Sequence, residues 1–343
     1  FKVAAGPSNI PRTEGPLSPL AVDTLAWDAT ATWTVVRGGS VTGIPHSRDS
    51  VILDHQFRAT AYTIRCGPVI SDSCAQITIG YPGNVVPVAI LIPHNNVLPS
   101  ASAALWFGDG KTGNYDMVIA EGGTVYDNKD LFSANVRFNS LNDSMKIRAG
   151  GLWYHNSTAF NTMHRILSRA IDGDYGTIEF DVNAANGIFD MSGGGNYYYP
   201  NIVFSNTVGA PTYFWFGTGA TTIHGNVTVN PGAKDSMMLG ADPFLVMGNI
   251  VNNGTIVATT SPLVFAGTTT QSVSGNPMSL GNGFIMMNLS GVNLLSNVNV
   301  TGGTVQTTGT FSYDSTGAGG FVTRTASGTV NTGTSTVFLD PNG

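Results

Sequence analysis

The sequence predicts an all-β fold, a right-handed parallel β-helix that begins with an extended N-terminal arm. Two observations carry this prediction. Between positions 248 and 275, short runs of β-branched and aromatic residues alternate with turns rich in Gly, Asn and Pro. The same turn residues also recur: Asn226 and Asn249, which open two such runs, are 23 positions apart. A period in the low twenties is what one coil of a parallel β-solenoid requires.

The composition favours strands and argues against several classes of protein. Charged residues make up 10% of the 343 residues, against about 25% in an average soluble domain. Glu and Lys, which populate helix surfaces, are scarce, so a mainly helical fold is not expected. The net charge of -6 argues against a nucleic-acid partner, because such proteins gather cations to neutralise phosphates. No apolar run approaches the roughly 20 residues that span a bilayer.

The chain divides into an arm over residues 1–26 and a β-helix over 27–343. The arm is rich in Pro, lacks periodicity and carries apolar positions that need a surface to lie on. We expect it to dock on an adjacent copy of the chain; the alternative is that it folds back along its own helix. The apolar positions of this assembly arm are Phe1, Val3, Ile10 and Leu17.

The β-helix is expected to be irregular and aromatic-rich over about 80–220 and regular over about 220–340. Apolar runs predict short strands at 105–108, 117–119, 125–126, 136–138 and 145–147. One segment, 160–171, has apolar residues at helical spacing and predicts a helix that leaves the solenoid and covers one face.

The two cysteines, Cys66 and Cys74, flank a short, turn-rich loop between two expected strands. Such a loop can bring two Cα atoms within bridging range, which predicts a disulfide and an oxidising compartment. The alternative is two reduced, unrelated cysteines. An isolated pair lacks the pattern of a zinc site. The chain opens on Phe1, which fits a mature secreted chain and equally a trimmed one.

Two motifs carry a family resemblance. Near the start, Ala31-Thr32-Trp33 is followed by a Pro turn and by Asp49-Ser50-Val51-Ile52; later, Gly267-Thr-Thr-Thr-Gln-Ser-Val-Ser-Gly275 precedes Asn288-Leu289 and Asn297-Val-Asn-Val300. These stretches resemble the β-helical, adhesin-like surface proteins secreted by Bacteroidota-type bacteria. The resemblance covers roughly 30–60 and 220–340. It implies a secreted, non-enzymatic surface or filament protein, and implies nothing about residues 80–220.

Other residues offer chemistry, each beside a simpler interpretation. Asp172 and Asp174 are a weak Ca²⁺ candidate, but the EF-hand spacing fails and a solvated turn is the favoured interpretation. His155 suggests the base of a polysaccharide-degrading β-helix, although a packed or hydrogen-bonded histidine is favoured. The aromatic runs 197–199 and 213–216 suggest a sugar-stacking platform, or else core and a protein interface. No catalytic residue, metal or cofactor is therefore assigned.

A recurring Asp followed by Ser or Thr resembles the O-glycosylation signal of the same bacterial group. The alternative is chance, since Asp favours turns and hydroxyl residues are abundant. Ser50 is the weakest candidate, because Asp49 also belongs to the first-coil motif. The candidate acceptors are Thr24, Ser50, Ser144, Ser236 and Ser315.

These observations predict an extracellular structural or adhesive protein at the cell surface, a filament subunit assembled head to tail. Its expected partners are further copies of itself and surface glycans. The alternative is a carbohydrate-active β-helix, either a polysaccharide lyase or a depolymerase like those of phage tailspikes, which an acidic groove in the middle third would favour.

Overall fold

The computed structural model confirms the β-helix: parallel strands stack coil upon coil, and the residues that it describes contain no helix. The described residues are 2–4, 23–27, 29, 33–35, 44–53, 60–66, 72–83, 86–92, 105–109, 115–127, 136–138, 145–155, 175–181, 188–190, 197–206, 212–215, 221–237, 243–258, 262–280, 283–288, 290, 292–296, 298–300, 304–307, 311–313, 322–324, 329–331 and 337–338.

The chain forms two compact units, Phe1–Glu179 and Phe180–Gly343. The strands of the first unit are β1 (Lys2–Ala4), β2 (Asp23–Ala26), β3 (Trp33–Val35), β4 (Ser50–Leu53), β5 (Tyr62–Arg65), β6 (Asp72–Cys74), β7 (Gln76–Ile79), β8 (Val88–Ile92), β9 (Leu105–Phe107), β10 (Met117–Ile119), β11 (Gly123–Asp127), β12 (Val136–Phe138), β13 (Met145–Ile147) and β14 (Leu152–His155). A further strand, β15 (Thr177–Asp181), contains the boundary.

Three sheets form the walls of the first unit. Their orders are β13-β10-β7-β4-β1-β3 for the first sheet, β2-β5-β8-β11-β14 for the second and β12-β9-β6 for the third. Every pair between successive coils is parallel, as in β4 with β7 and β5 with β8. The exception is β1, which pairs antiparallel with β3.

The second unit repeats the same three-walled coil more regularly. Its strands are β16 (Ile188–Asp190), β17 (Tyr197–Tyr199), β18 (Asn201–Ser205), β19 (Thr212–Trp215), β20 (Thr221–Ile223), β21 (Val227–Val229), β22 (Ala233–Met237), β23 (Phe244–Val246), β24 (Ile250–Asn252), β25 (Thr255–Ala258), β26 (Leu263–Phe265), β27 (Gln271–Gly275), β28 (Met278–Leu280), β29 (Gly283–Met286), β30 (Val292–Leu294), β31 (Val298–Val300), β32 (Thr304–Thr307), β33 (Phe311–Tyr313), β34 (Val322–Arg324), β35 (Thr329–Asn331) and β36 (Val337–Phe338). Every third strand belongs to the same wall.

The register explains the sequence period. Val227 pairs with Ile250 and Ile250 with Val273, so each of these coils advances the chain by the expected number of residues. In the first unit the coils are longer: Ile77 pairs with Met117, 40 positions later. The strands expected in the middle are present as β9 to β13. The expected helix, 160–171, lies outside the described residues.

The core lies inside the coils, where alternate strand residues stack in columns. In the first wall one such column is Val51, Ile77, Met117 and Met145, all of them at most 1% exposed. Fully burying an aliphatic side chain contributes about 1.5–3 kcal/mol. Because each coil packs on its neighbours, this contribution recurs at every step and explains how strands of two to five residues remain stable.

Candidate functional site

The first sheet carries an inserted strand near the start of the chain. The strand β1 lies between β3 and β4, which follow one another in sequence but are separated in the sheet by β1. We call the gap between Trp33–Val35 and Ser50–Leu53 the slot. The strand pairs on both sides of it: Lys2↔Val35, Val3↔Thr34 and Ala4↔Trp33 are antiparallel, whereas Lys2↔Val51 and Val3↔Ile52 are parallel.

The first-coil motif holds one side of the slot in place. Asp49 is 8% exposed, and its Oδ2 accepts a hydrogen bond from the backbone N–H of His46 at 2.9 Å. This contact closes the turn that leads into β4. The carbonyl oxygen of Asp49 accepts the N–H of Ala75 from the next coil at 2.8 Å. Asp49 therefore fixes where β4 begins, and the start of β4 determines how its residues align with a strand in the slot.

The other end of the expected arm belongs to the coil itself. The strand β2 (Asp23–Ala26) pairs with β5, and Leu25 and Trp27 are fully buried. The backbone N–H of Trp27 donates to the carbonyl oxygen of Arg65 at 2.9 Å. Of the four arm residues singled out, only Val3 lies in a described strand; Phe1, Ile10 and Leu17 lie outside the described residues.

The predicted disulfide is wrong, because Cys66 and Cys74 are both free and buried. Cys66 follows β5 of the second sheet, whereas Cys74 ends β6 of the third. Burial, the carboxylate of Asp72 and the nearby Cys74 raise the pKa of Cys66, and its thiol forms a hydrogen bond with Asp72. Burial and Asp72 also raise the pKa of Cys74. The cysteines thus give no support to an oxidising compartment.

We expect both thiols to resist alkylation until the protein unfolds. Burial excludes the reagent, and the raised pKa values keep the thiolate, the reactive form, scarce at pH 8. Mass spectrometry of native protein treated with iodoacetamide should find no adduct, and the same treatment in guanidinium without reductant should add two. Rapid labelling of the native chain, or none after unfolding, would contradict this arrangement.

A buried polar pair lies in the second wall of the same unit. The parallel register of β11 and β14 places Asp127 beside His155. The Nδ1 of His155 lies 2.9 Å from the Oδ2 of Asp127, and the residues are 0% and 3% exposed. This confirms the interpretation of His155 as a packed, hydrogen-bonded histidine. A histidine enclosed in the core cannot take a proton from a substrate on the surface.

An apolar cluster on the second wall explains part of the aromatic-rich middle. Ala89, Leu91 and Tyr126 are buried, and they alternate along their strands with the residues of the main core. Tyr154 packs against them, with its ring centroid 5.9 Å from that of Tyr126 in an edge-on arrangement. Burial, and then the charge of Glu179, raise the pKa of Tyr126. These aromatic residues act in packing.

The glycosylation candidates fall in different settings. Thr24 is partly exposed in β2, and its strand neighbour is Thr63. Ser50 begins β4, and its hydroxyl donates to Oε1 of Gln76 at 3.4 Å. Ser236 lies inside β22, which pairs with strands on both sides. Ser144 and Ser315 lie outside the described residues.

The other candidate sites receive little support. Tyr199 of the sugar-stacking candidate is 1% exposed and belongs to the core. Asp172 and Asp174 lie outside the described residues. Within the described part of the chain, no group of three or more His, Cys, Asp or Glu side chains is placed to hold a metal ion.

A ladder of side-chain amides joins coils of the second unit. The Oδ1 of Asn201 accepts the backbone N–H of Asn226, and the same contact joins Asn226 to Asn249 and Asn249 to Ser272, each at 2.8 Å. A Cβ on Gly225 would collide with Oδ1 of Asn201, so this step of the ladder requires Gly before Asn226. The recurring Gly-Asn pairs were visible in the sequence as a period, but their bonding was not.

The side-chain amide of Gln271, in the second motif, has hydrogen-bond partners for both its nitrogen and its oxygen. Gln271 is 1% exposed, and its Nε2 donates to the carbonyl oxygens of Val246 at 3.0 Å and Gly248 at 2.6 Å. Its Oε1 accepts the N–H of Gly267 at 2.9 Å and the Nδ2 of Asn288 at 2.8 Å. The side chain therefore ties its own turn to the coils before and after it.

Comparison with known protein families, with curated proteins and with solved structures finds no match for this chain. No helix in the described part of the chain is long and apolar enough to cross a membrane.

Proposed function

We propose that this protein is an extracellular structural or adhesive protein of the cell surface, a non-enzymatic filament subunit that assembles head to tail. Its principal partner is a second copy of the same chain, and surface glycans are a further partner. The small fraction of charged residues favours association between copies, because surfaces with few charges repel one another weakly. Glycans on the candidate Ser and Thr residues would keep such a surface hydrated.

The inserted strand β1 is the observation that carries this proposal. A parallel β-helix exposes strand edges, and each edge invites pairing with a further strand. The slot accepts a strand that is distant in sequence and pairs with it on both sides. Beyond β1, the described residues give β3 no second partner, so β3 is the outermost strand of its sheet. Strand addition at such an edge is a common mode of protein association.

The alternative, a carbohydrate-active β-helix, needs an acid and a base that a polysaccharide can reach. The His155–Asp127 pair has the right chemical groups but is buried. This favours the structural role over the catalytic one.

We expect Val3→Pro to abolish polymerisation. Proline removes the backbone N–H and cannot be accommodated between two paired strands, so β1 would no longer fit the slot. Val3→Thr is the matched control, because it keeps a β-branched residue that strands accept. Sedimentation velocity at increasing concentration should show polymers for the unmodified chain and for Val3→Thr, and a monomer for Val3→Pro.

Two results would contradict the proposal. An unmodified chain that stays monomeric at every concentration rules out the filament. A Val3→Pro chain that polymerises like the control shows that assembly does not use β1. Deleting residues 1–22 tests the same point and keeps β2 with its buried neighbour Trp27.

A further inference from the structure

The strand that fills the slot, β1, does not follow the order in which the other strands of the first sheet occur along the chain. Elsewhere in the first sheet, neighbouring strands come from successive coils, as in β4, β7, β10 and β13. The strand β1 instead precedes both of its neighbours in the chain, and it separates two strands that are consecutive in sequence. The slot is therefore completed by a segment that is not part of the coil.

The contact that holds β1 is small. The strand has three residues, and its pairs with β3 and β4 number three and two. A backbone hydrogen bond contributes only modestly to net stability in water, and leaving the slot breaks only a few such bonds. Short elements with so few pairs open far more readily than a whole fold.

A second copy of the chain offers the same strand with the same register. A strand that leaves the slot of its own chain forms the same pairs in the slot of a second copy, so the exchange itself is close to neutral in free energy. The strand's own chain competes, since a tethered strand meets its slot at an effective concentration on the order of millimolar. Exchange is therefore favoured where copies are crowded.

The chain is long enough for this exchange. Positions 5 to 22 separate β1 from β2, and 18 residues can span at most about 60 Å. Prolines at positions 7, 11, 16 and 19 favour extended conformations in such a sequence. The strand β2 is anchored by its pairing with β5, so the donor copy keeps its coil while β1 leaves.

We propose that Lys2–Ala4 is an exchangeable strand, and that the slot of each copy in the polymer holds β1 of a second copy. This inference rests on the filament proposed above and identifies the contact that links its subunits. Each chain then donates one strand and receives one. The contact is heterologous and propagates into an open polymer, whereas reciprocal exchange between two copies closes a dimer.

A cross-link between Val3→Cys and Thr34→Cys reports whether the strand in the slot is the chain's own. These residues lie directly opposite in the antiparallel pair. Opposed residues have Cα atoms about 4.5–5.5 Å apart, which is within disulfide range. Light and ¹⁵N-labelled monomers of this double variant are mixed, assembled and oxidised, and the bridged peptides are analysed by mass spectrometry. Mapping the peptides separates this bridge from Cys66 and Cys74.

Strand exchange predicts bridged peptides that join a light and a heavy chain, as abundant as those from chains of one label. Bridges within single chains only, in an assembled polymer, overturn the exchange and leave the filament standing. Mixed bridges in a closed dimer support the exchange and overturn the filament. Monomers with bridges only within chains overturn both.

The control places the second cysteine two strands away from β1, outside disulfide range. Val3 pairs with Ile52 of β4, and Ile52 pairs in turn with Thr78 of β7. Thr78 is therefore two strands, or about 10 Å, from β1. Val3→Cys with Thr78→Cys should give no bridge in either arrangement. Equal bridging in this control would overturn the assigned register and with it the proposal.

Discussion

Replacing His155 with leucine is expected to destabilise the first unit by about 1–3 kcal/mol, the usual cost of removing one partner of a buried hydrogen bond. The substitution removes the 2.9 Å hydrogen bond from the carboxylate of Asp127, which is 3% exposed. Urea unfolding followed by circular dichroism measures the loss. Amide hydrogen exchange should become faster mainly in β8, β11 and β14, because coils interact mainly with their neighbours.

The double variant Asp127→Leu/His155→Leu separates the electrostatic cause from the packing cause. Replacing both partners with apolar residues leaves no buried carboxylate at position 127, so the double variant should be more stable than His155→Leu alone. A double variant that loses the sum of the two single losses would contradict this, since it would show that packing rather than the lost hydrogen bond determines the cost.

Replacing Gln271 with leucine is expected to cost about 3 kcal/mol or more in the second unit. Leucine keeps most of the volume but removes four hydrogen bonds, and each buried polar partner left unsatisfied costs about 1–3 kcal/mol. Gln271→Glu tests the donor side specifically: it can still accept from Gly267 and Asn288 but cannot donate to Val246 or Gly248 when ionised. Ser274→Ala, in the same strand and partly exposed, is the control and should change stability by less than about 0.5 kcal/mol.

Hydrogen exchange at β24, β27 and β30 reports on the coils that Gln271 joins. Faster exchange in these strands for Gln271→Leu, with the first unit unchanged, is the expected result. A variant as stable as Ser274→Ala would show that the motif is not a structural tie between coils.

Local patterns in the sequence were sufficient to predict the strands. The runs at Leu105–Phe107, Met117–Ile119 and Met145–Ile147 are strands because each is a short, mainly apolar run with aromatic or β-branched residues. The coil length was readable from the spacing of Asn226 and Asn249, since both stand at the same point of successive coils. Local patterns of this kind depend on residues close together in the chain.

The features that the sequence did not reveal depend on register between distant residues. His155 and Asp127 are 28 positions apart, and only the alignment of β11 with β14 brings them together. Cys66 and Cys74 are close in sequence, which suggested a bridge, but Cys66 follows a strand of the second sheet and Cys74 ends a strand of the third. The arm was expected to dock on another copy, whereas Lys2–Ala4 fills a slot in its own sheet. The composition of those three residues gives no indication of that pairing.

Electron microscopy of the unmodified chain tests the central claim most directly. Protein is imaged at increasing concentration under native conditions, alongside Val3→Pro. We expect unbranched filaments of the unmodified chain that lengthen with concentration, and isolated particles of Val3→Pro. Isolated particles of the unmodified chain at every concentration would contradict it.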